Sequence, residues 1–483
     1  MKIKCLFFSV LVVFSCLWFG GCGNEKSDST TYQIECVLTD NLLTAKESVN
    51  YYNDTETAIN ELKFNLFGNA FRKDAKYPAI DKAYQHACYY NGQSFGEMEI
   101  KGVYDKNTPL EFLICGEDQN ILSVKLGKEI YPEESVEVVI EWQLTLAQVI
   151  ARTGITPTTI NLANFYPILC ARNEGGYYEC NYYSLGDPFF SDVADYTVKI
   201  TLDENYVLAS TGKLTNASSN GTTKTLEYNA SCVRNFAIVL SKQFQSISTK
   251  WQGVEITYYY LHDKYPDQSL ATSVQALEYF SNTFGKYPYE TYSVVQTPFN
   301  EGGMEFATLV YISDSLDEKA HKEVIVHETA HQWWQSVVGN NEIEYGFLDE
   351  GLAEYSVVLF YENHSEYGFE RKELVKQGEN SYHSFATVFD KLFGKVNTAM
   401  VRPLKDFKGE YEYVNIAYIK GFLMHEYLRQ QIGDELYFKS LKRYYETYAY
   451  KNATPDDLVG AFEKSGANSN GFFQSFFDGS AII

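Results

Sequence analysis

The segment VIVHETAHQWW, residues 324–334, sets His327 and His331 four positions apart, with Glu328 directly after the first. In a helix, residues four apart lie one above the other, so both imidazoles face the same way and can share one ion. Glu328, three residues before His331, falls beside that pair. This arrangement suits hydrolytic zinc chemistry: the histidines fix the metal and the carboxylate takes a proton from water. The bland alternative is a buried helix whose histidines are satisfied by neighbours, which Val324 and Trp334 on the same face would suit. A catalytic zinc also wants a third protein ligand and one open position. FLDEGLAEY supplies Glu350, nineteen residues after His331 and at the start of a further helix. A turn near Gly339 can bring that helix back antiparallel and aim Glu350 at the metal.

HETAHQWW, eighteen intervening residues and the glutamate of FLDEGLAEY together resemble the zinc aminopeptidases of the aminopeptidase N and leukotriene hydrolase type, a gluzincin family. Phe347 and Asp349 stand where that family has tryptophan and asparagine. The resemblance implies zinc ligands at His327, His331 and Glu350, one Zn2+ per chain, and a general base at Glu328. NEGGMEFATLVY resembles the exopeptidase strand of the family. It implies that Gly302, Gly303, Met304 and Glu305 bind the substrate N-terminus, with Glu305 holding the free α-ammonium. A carboxylate placed one residue from the scissile bond rewards a charged N-terminus and disfavours a chain interior. Phe306 replaces the family's usual asparagine. VNIAYIKGFLMHEYL resembles the segment that carries the family's catalytic tyrosine, here Tyr418. A phenol stays protonated at neutral pH and can donate a hydrogen bond to a developing oxyanion. The family's second amine-binding residue, from the N-terminal domain, has no match in these motifs.

Two kinds of element must position these residues. Residues 32–248 read as β structure. In SVEVVIEWQLTL, Val136, Val138, Ile140, Trp142, Leu144 and Leu146 alternate with mostly polar neighbours, and DYTVKITL does the same with Tyr196, Val198, Ile200 and Leu202. Period-2 alternation puts one face on a core and one in water. From residue 249 the pattern turns mainly helical. DQSLATSVQALEYFSNTFG has apolar residues at helical spacing, and further helices are expected over Asp317–Val338, Glu350–Glu362 and Gly421–Tyr448. Strand-like SVVQT and ATLVYIS lie between them. The expected architecture is α+β with two domains: a β saddle or sandwich at 32–248, then a thermolysin-like, mainly helical catalytic domain at 249–483. The resemblance reaches the first half through NLFGNAFR and YSLGDPFFSDVADYTVKI.

Acidic residues outnumber basic ones by 63 to 40, for a net charge of −23, which disfavours nucleic acid and anionic lipid as partners. Lys2 and Lys4, the apolar run Leu6–Phe19 and the small residues before Cys22 form a targeting segment. It resembles a bacterial lipoprotein signal, which implies a signal peptide over 1–21, lipidation of Cys22, a tether over 22–31 and a membrane-anchored, extracytoplasmic protein. An uncleaved anchor is the alternative. The six later cysteines all lie in the first half, away from the histidines. Some pair, with Cys170 and Cys180 the nearest candidates, or they are buried free thiols.

The expected function is removal of N-terminal residues from peptides by a zinc enzyme. The rivals are a zinc endopeptidase or an epoxide-hydrolase-like enzyme on the same scaffold, and a non-catalytic surface binding module. FFQSFFDGSAII resembles the end of the family's catalytic domain, so the helical domain that follows it in many relatives is not expected here, and the cleft is expected to be more open.

Overall fold

The computed structural model describes residues 29–173, 175–481 and 483. The proposed signal, Cys22 and the tether up to residue 28 lie outside the described residues. Among the described residues, no helix is long and apolar enough to cross a membrane.

The alternating segments form strands. An eight-stranded sheet carries Thr31–Thr39, Leu42–Tyr52, Ser135–Thr145 and Ala194–Asp203 at its centre. Along Ala194–Asp203 buried and half-buried residues alternate, with Tyr196, Val198, Ile200 and Leu202 inward. Thr31–Thr39 pairs in parallel with Ala194–Asp203, and Leu42–Tyr52 pairs antiparallel with Ser135–Thr145. Two four-stranded sheets and a two-stranded one, Arg172–Asn173 with Gly176–Tyr177, complete this half among the described residues. Its core is aromatic: Trp142 meets Phe165, which meets Tyr166. Trp142 also donates its Nε1–H to the buried carboxylate of Glu47 at 2.9 Å, giving that acid a partner inside the core. All six described cysteines of this half are free, Cys170 and Cys180 among them.

A five-stranded sheet begins the second half in the order Gln245–Trp251, Val254–Tyr260, Thr291–Thr297, Leu309–Ser313, Gly303–Phe306. Gly303–Phe306 is an edge strand, antiparallel to Leu309–Ser313. Helices Pro266–Thr283 and Phe347–Asn363 follow the expected segments closely. Two expectations need correction. The helix expected over Asp317–Val338 ends at Ala330, with His331 as its C-cap. Residues from Gln332 to Val338 are all buried, and an irregular turn lets them be so while folding the Trp334 carbonyl back onto His331. The helix expected over Gly421–Tyr448 is two helices, Lys420–Ile432 and Asp434–Tyr448. They break at Gly433, whose φ of +81° only glycine adopts easily. The helices Arg371–Phe393, Pro455–Ser465 and Asn470–Phe477 lie outside the expected helical segments.

The halves meet over buried arginines. Arg234 donates to the carbonyls of Gln335 and Lys451, both at 2.7 Å. Arg152 pairs with Asp187 of its own half at 2.6 Å and with Glu301 of the other at 2.7 Å.

Candidate active site

Asp317 caps the histidine helix, accepting from the Ala320 N–H at 2.9 Å. One turn before its end the helix presents His327, and at its end His331. Phe347–Asn363 packs against it and carries Glu350 in its first turn. The Nε2 atoms of His327 and His331 are 3.1 Å apart, and Glu350 Oε2 is 3.3 Å from each. A tetrahedral zinc with bonds of about 2.0–2.1 Å needs ligand atoms about 3.3–3.4 Å apart. Two imidazole nitrogens facing each other this closely also need a positive centre between them, a proton or a metal. The residues present therefore fit zinc.

The outer nitrogens are held as well. His327 Nδ1 contacts Glu354 Oε2 at 3.1 Å, and His331 Nδ1 contacts the Trp334 carbonyl at 2.9 Å. With Nδ1 donating, each Nε2 lone pair is left pointing at the shared centre, the arrangement that fixes tautomer and ring orientation in metal sites. The acids around them hold protons on this cluster when no metal competes. Burial opposes a charged His331, but Glu305 and Glu350 win and push its pKa up to about 10. Burial likewise disfavours the Glu350 carboxylate, yet His331 and His327 hold it below its ordinary value.

Glu328 lies beside the trio, 5% exposed, and its Oε2 has no hydrogen-bond partner among the described residues. Burial pushes its carboxyl up to about 7, with His327 and His331 opposing. A base poised near neutrality is what proton transfer at physiological pH asks for. Its neighbour across the cleft is Gly303, where any Cβ would collide with the Glu328 carboxylate. That glycine is needed for space. A Cβ at Gly302 would meet Val324 only at an ordinary contact distance, so space does not demand that glycine.

Glu305 lies two residues along the same edge strand as Gly303 and so shares its face. Its carboxylate, 3% exposed, comes within 4.8 Å of ligand atoms of Glu328 and His331. Burial, with the charge of Asp187 next, pushes its carboxyl well above the ordinary value. Met304 takes the opposite face, its sulfur 3.0 Å from Arg152 Nε, so its side chain backs the strand and does not line the cleft. Phe306 is buried against Tyr311.

Tyr418 donates its hydroxyl to Glu350 Oε1 at 2.6 Å and stacks on His327 with ring centroids 5.9 Å apart. Burial and the Glu350 charge raise its pKa well above 10, which keeps it a donor. Its placement has a backbone cause. Val414–Ile419 is a widened π turn, and just beyond it Gly421 crosses Gly351 so closely that a Cβ on Gly421 would stand 2.7 Å from Gly351 Cα. The two glycines bring the tyrosine segment against the residue next to Glu350, and π turns often occur at functional sites.

Among the lining residues that the sequence motifs do not mark are Arg152, Asp187, Glu354 and Tyr413. Only Glu354 carried a signal, one helical turn after Glu350. All of these residues line a cleft of about 670 Å³ between the halves. Nine of its lining residues are acidic, against Arg152 and Lys408, which favours a cationic group in the bound molecule.

Residues 268–478 match the model of the Peptidase family M1 domain. The second half of this chain is an M1 peptidase domain. It is 30% identical over 196 residues to leucine aminopeptidase 2 of Sclerotinia sclerotiorum, covering 36% of this chain and 30% of that protein. It is 27% identical over 202 residues to leukotriene A-4 hydrolase of Xenopus laevis, covering 39% and 31%. The chain thus spans about three-tenths of the length of these curated relatives. The M1 domain and the β half together share the fold of an M1 zinc metallopeptidase from Deinococcus radiodurans, with a TM-score of 0.69 at 16% identity over 94% of this chain and 95% of that one.

Proposed function

We propose that this chain is a zinc-dependent aminopeptidase that removes N-terminal residues from peptides outside the cytoplasm, anchored to a membrane by lipid on Cys22. The observation that carries the catalytic part is Glu305, a buried carboxylate on an edge strand, within reach of both Glu328 and the ligand His331. The location rests on the targeting segment alone.

His327, His331 and Glu350 would hold one zinc ion. Zinc there would lower the pKa of water and polarise the scissile carbonyl. Glu328 takes the proton of the attacking water and passes it to the leaving amine. Tyr418 turns its hydroxyl from Glu350 to the oxyanion as charge develops. Glu305 accepts the substrate ammonium, and Asp187, on the wall contributed by the first half, adds a second negative charge to that end of the cleft. Gly303 leaves the edge strand open to the substrate backbone.

A panel of aminoacyl reporters and their N-acetylated counterparts, assayed with and without a chelator, tests the reading. Free amines are cleaved, acetylated ones are refused, and zinc restores what the chelator removes. Equal cleavage of blocked and free peptides would transfer the site to an endopeptidase. Turnover of an epoxide without peptide cleavage would favour the second reading, which similarity to a leukotriene A-4 hydrolase supports. No zinc-dependent turnover at all would leave a binding module. Tyr418→Phe is expected to lower kcat by about 10²–10³ with little change in KM, as for the loss of one oxyanion donor. A raised KM at unchanged kcat would instead make Tyr418 a binding residue.

A further inference from the structure

Tyr413 lines the cleft, yet no step of the proposed reaction uses it. It ends the short helix Glu410–Tyr413, directly before the π turn Val414–Ile419, and stands five positions before Tyr418. In a regular α-helix, residues five apart point about 140° away from each other. A π turn closes its hydrogen bonds from i to i+5 instead, which brings such residues towards one face. The two rings accordingly meet edge to face, with centroids 5.8 Å apart and planes at 80°. Aromatic pairs favour that arrangement.

The Tyr413 ring is fixed from its other sides. Phe407 also meets it edge to face, with centroids 5.1 Å apart. Gly186 of the first half lies so close that a Cβ there would stand 2.9 Å from Tyr413 Cζ. Gly346, the N-cap of the helix that carries Glu350, faces the hydroxyl, and a Cβ on it would collide with that oxygen. Tyr413 is 3% exposed, and its hydroxyl has no hydrogen-bond partner among the described residues. What it contributes here is therefore a packed ring. Tyr418 needs one. Its hydroxyl bond to Glu350 must break when it turns to an oxyanion, and its ring contacts among the described residues are then the stack on His327 and the edge of Tyr413.

We propose that Tyr413 is a positioning residue for Tyr418, its packed ring fixing the direction in which the Tyr418 hydroxyl turns. The role belongs to the ring and not to the Tyr413 hydroxyl. It rests on the proposed function, in which Tyr418 is the oxyanion donor. A misplacement of about 1 Å at a reacting group costs about 10²-fold in rate, so the effect is large enough to measure.

The test uses zinc-loaded full-length protein and a free-amine reporter. Tyr413→Phe is expected to keep kcat within about twofold of the parent, because it removes only an unpartnered hydroxyl. Tyr413→Leu is expected to lower kcat by about 10–10²-fold with KM and zinc content little changed. In a Tyr418→Phe background the same change should cost less than about twofold, since nothing is left for the ring to position. Gly346→Ala presses on the Tyr413 hydroxyl without removing the ring. It should lower kcat, and adding Tyr413→Phe should restore most of the loss. Crystals of Tyr413→Leu should show the Tyr418 ring off its stack on His327, and those of Tyr413→Phe should show it in place. The proposal is overturned by a larger loss in Tyr413→Phe, by equal losses from Tyr413→Leu in the parent and in the Tyr418→Phe background, or by an unmoved Tyr418 in the Tyr413→Leu crystals. Where Tyr413→Leu fails to fold, the Gly346→Ala pair decides, and no recovery on adding Tyr413→Phe overturns it. A parent that cleaves no free-amine peptide, or a fully active Tyr418→Phe, is a failure of the proposed function instead, and the crystals still show whether Tyr413 holds Tyr418.

Discussion

Glu328→Gln is expected to lower turnover by about 10²–10⁴-fold without lowering zinc content. The amide has the shape of the carboxylate, which matters because Gly303 leaves no spare room beside it. It lacks the lone-pair basicity that accepts a proton from water. The parent carboxylate has a free oxygen, Oε2, and burial brings its pKa up to about 7, so it can both take and return a proton near neutral pH. None of the ligand contacts passes through it: His327 leans on Glu354, His331 on the Trp334 carbonyl, and Glu350 on Tyr418. Zinc content by atomic absorption should therefore match the parent. The check is kcat/KM beside that measurement. Retention of more than a tenth of the activity would remove Glu328 as the base, and loss of zinc in parallel would make it a structural residue instead.

Much of this site could be read from the sequence because it is carried by local geometry. Helical spacing alone puts His327 and His331 on one face, and strand alternation puts Gly303 and Glu305 on another. What could not be read has causes that span long stretches of chain. The Trp334 carbonyl reaches His331 only because the helix stops early, and a buried run such as QWWQSVV carries no periodicity that would mark the stop. The break at Gly433 is a single backbone torsion inside an otherwise helical pattern. Arg152 and Asp187 lie in irregular segments of the first half, and Arg152, paired with Asp187, reaches Glu301 and Met304 only when the halves pack together. Loops have no repeat from which such a meeting can be inferred.

That closure gives the other large expectation. Arg152→Met is expected to destabilise the protein by about 3–5 kcal/mol, the usual result of removing one partner from a buried ion pair. Arg152 is buried, with Nη2 donating to Asp187 Oδ1 at 2.6 Å, to Glu301 Oε2 at 2.7 Å and to the Gly186 carbonyl at 3.2 Å. Its guanidinium also lies 5.6 Å from the ring centroid of Phe189. Methionine keeps much of the packing but strands Asp187, whose carboxyl burial already holds above its ordinary range against the pull of Arg152. The cost therefore comes from an uncompensated buried acid more than from the lost bonds. A double-mutant cycle separates the two: Asp187→Asn in the Arg152→Met background should recover part of the loss, measured by urea midpoint at constant slope. Because the same arginine orients Asp187 at the amine end of the cleft, Arg152→Met should also raise KM for free-amine substrates more than it lowers kcat. A stability loss under about 1 kcal/mol, or no recovery in the double variant, would mean that the halves are held together elsewhere and that this arginine is incidental to them.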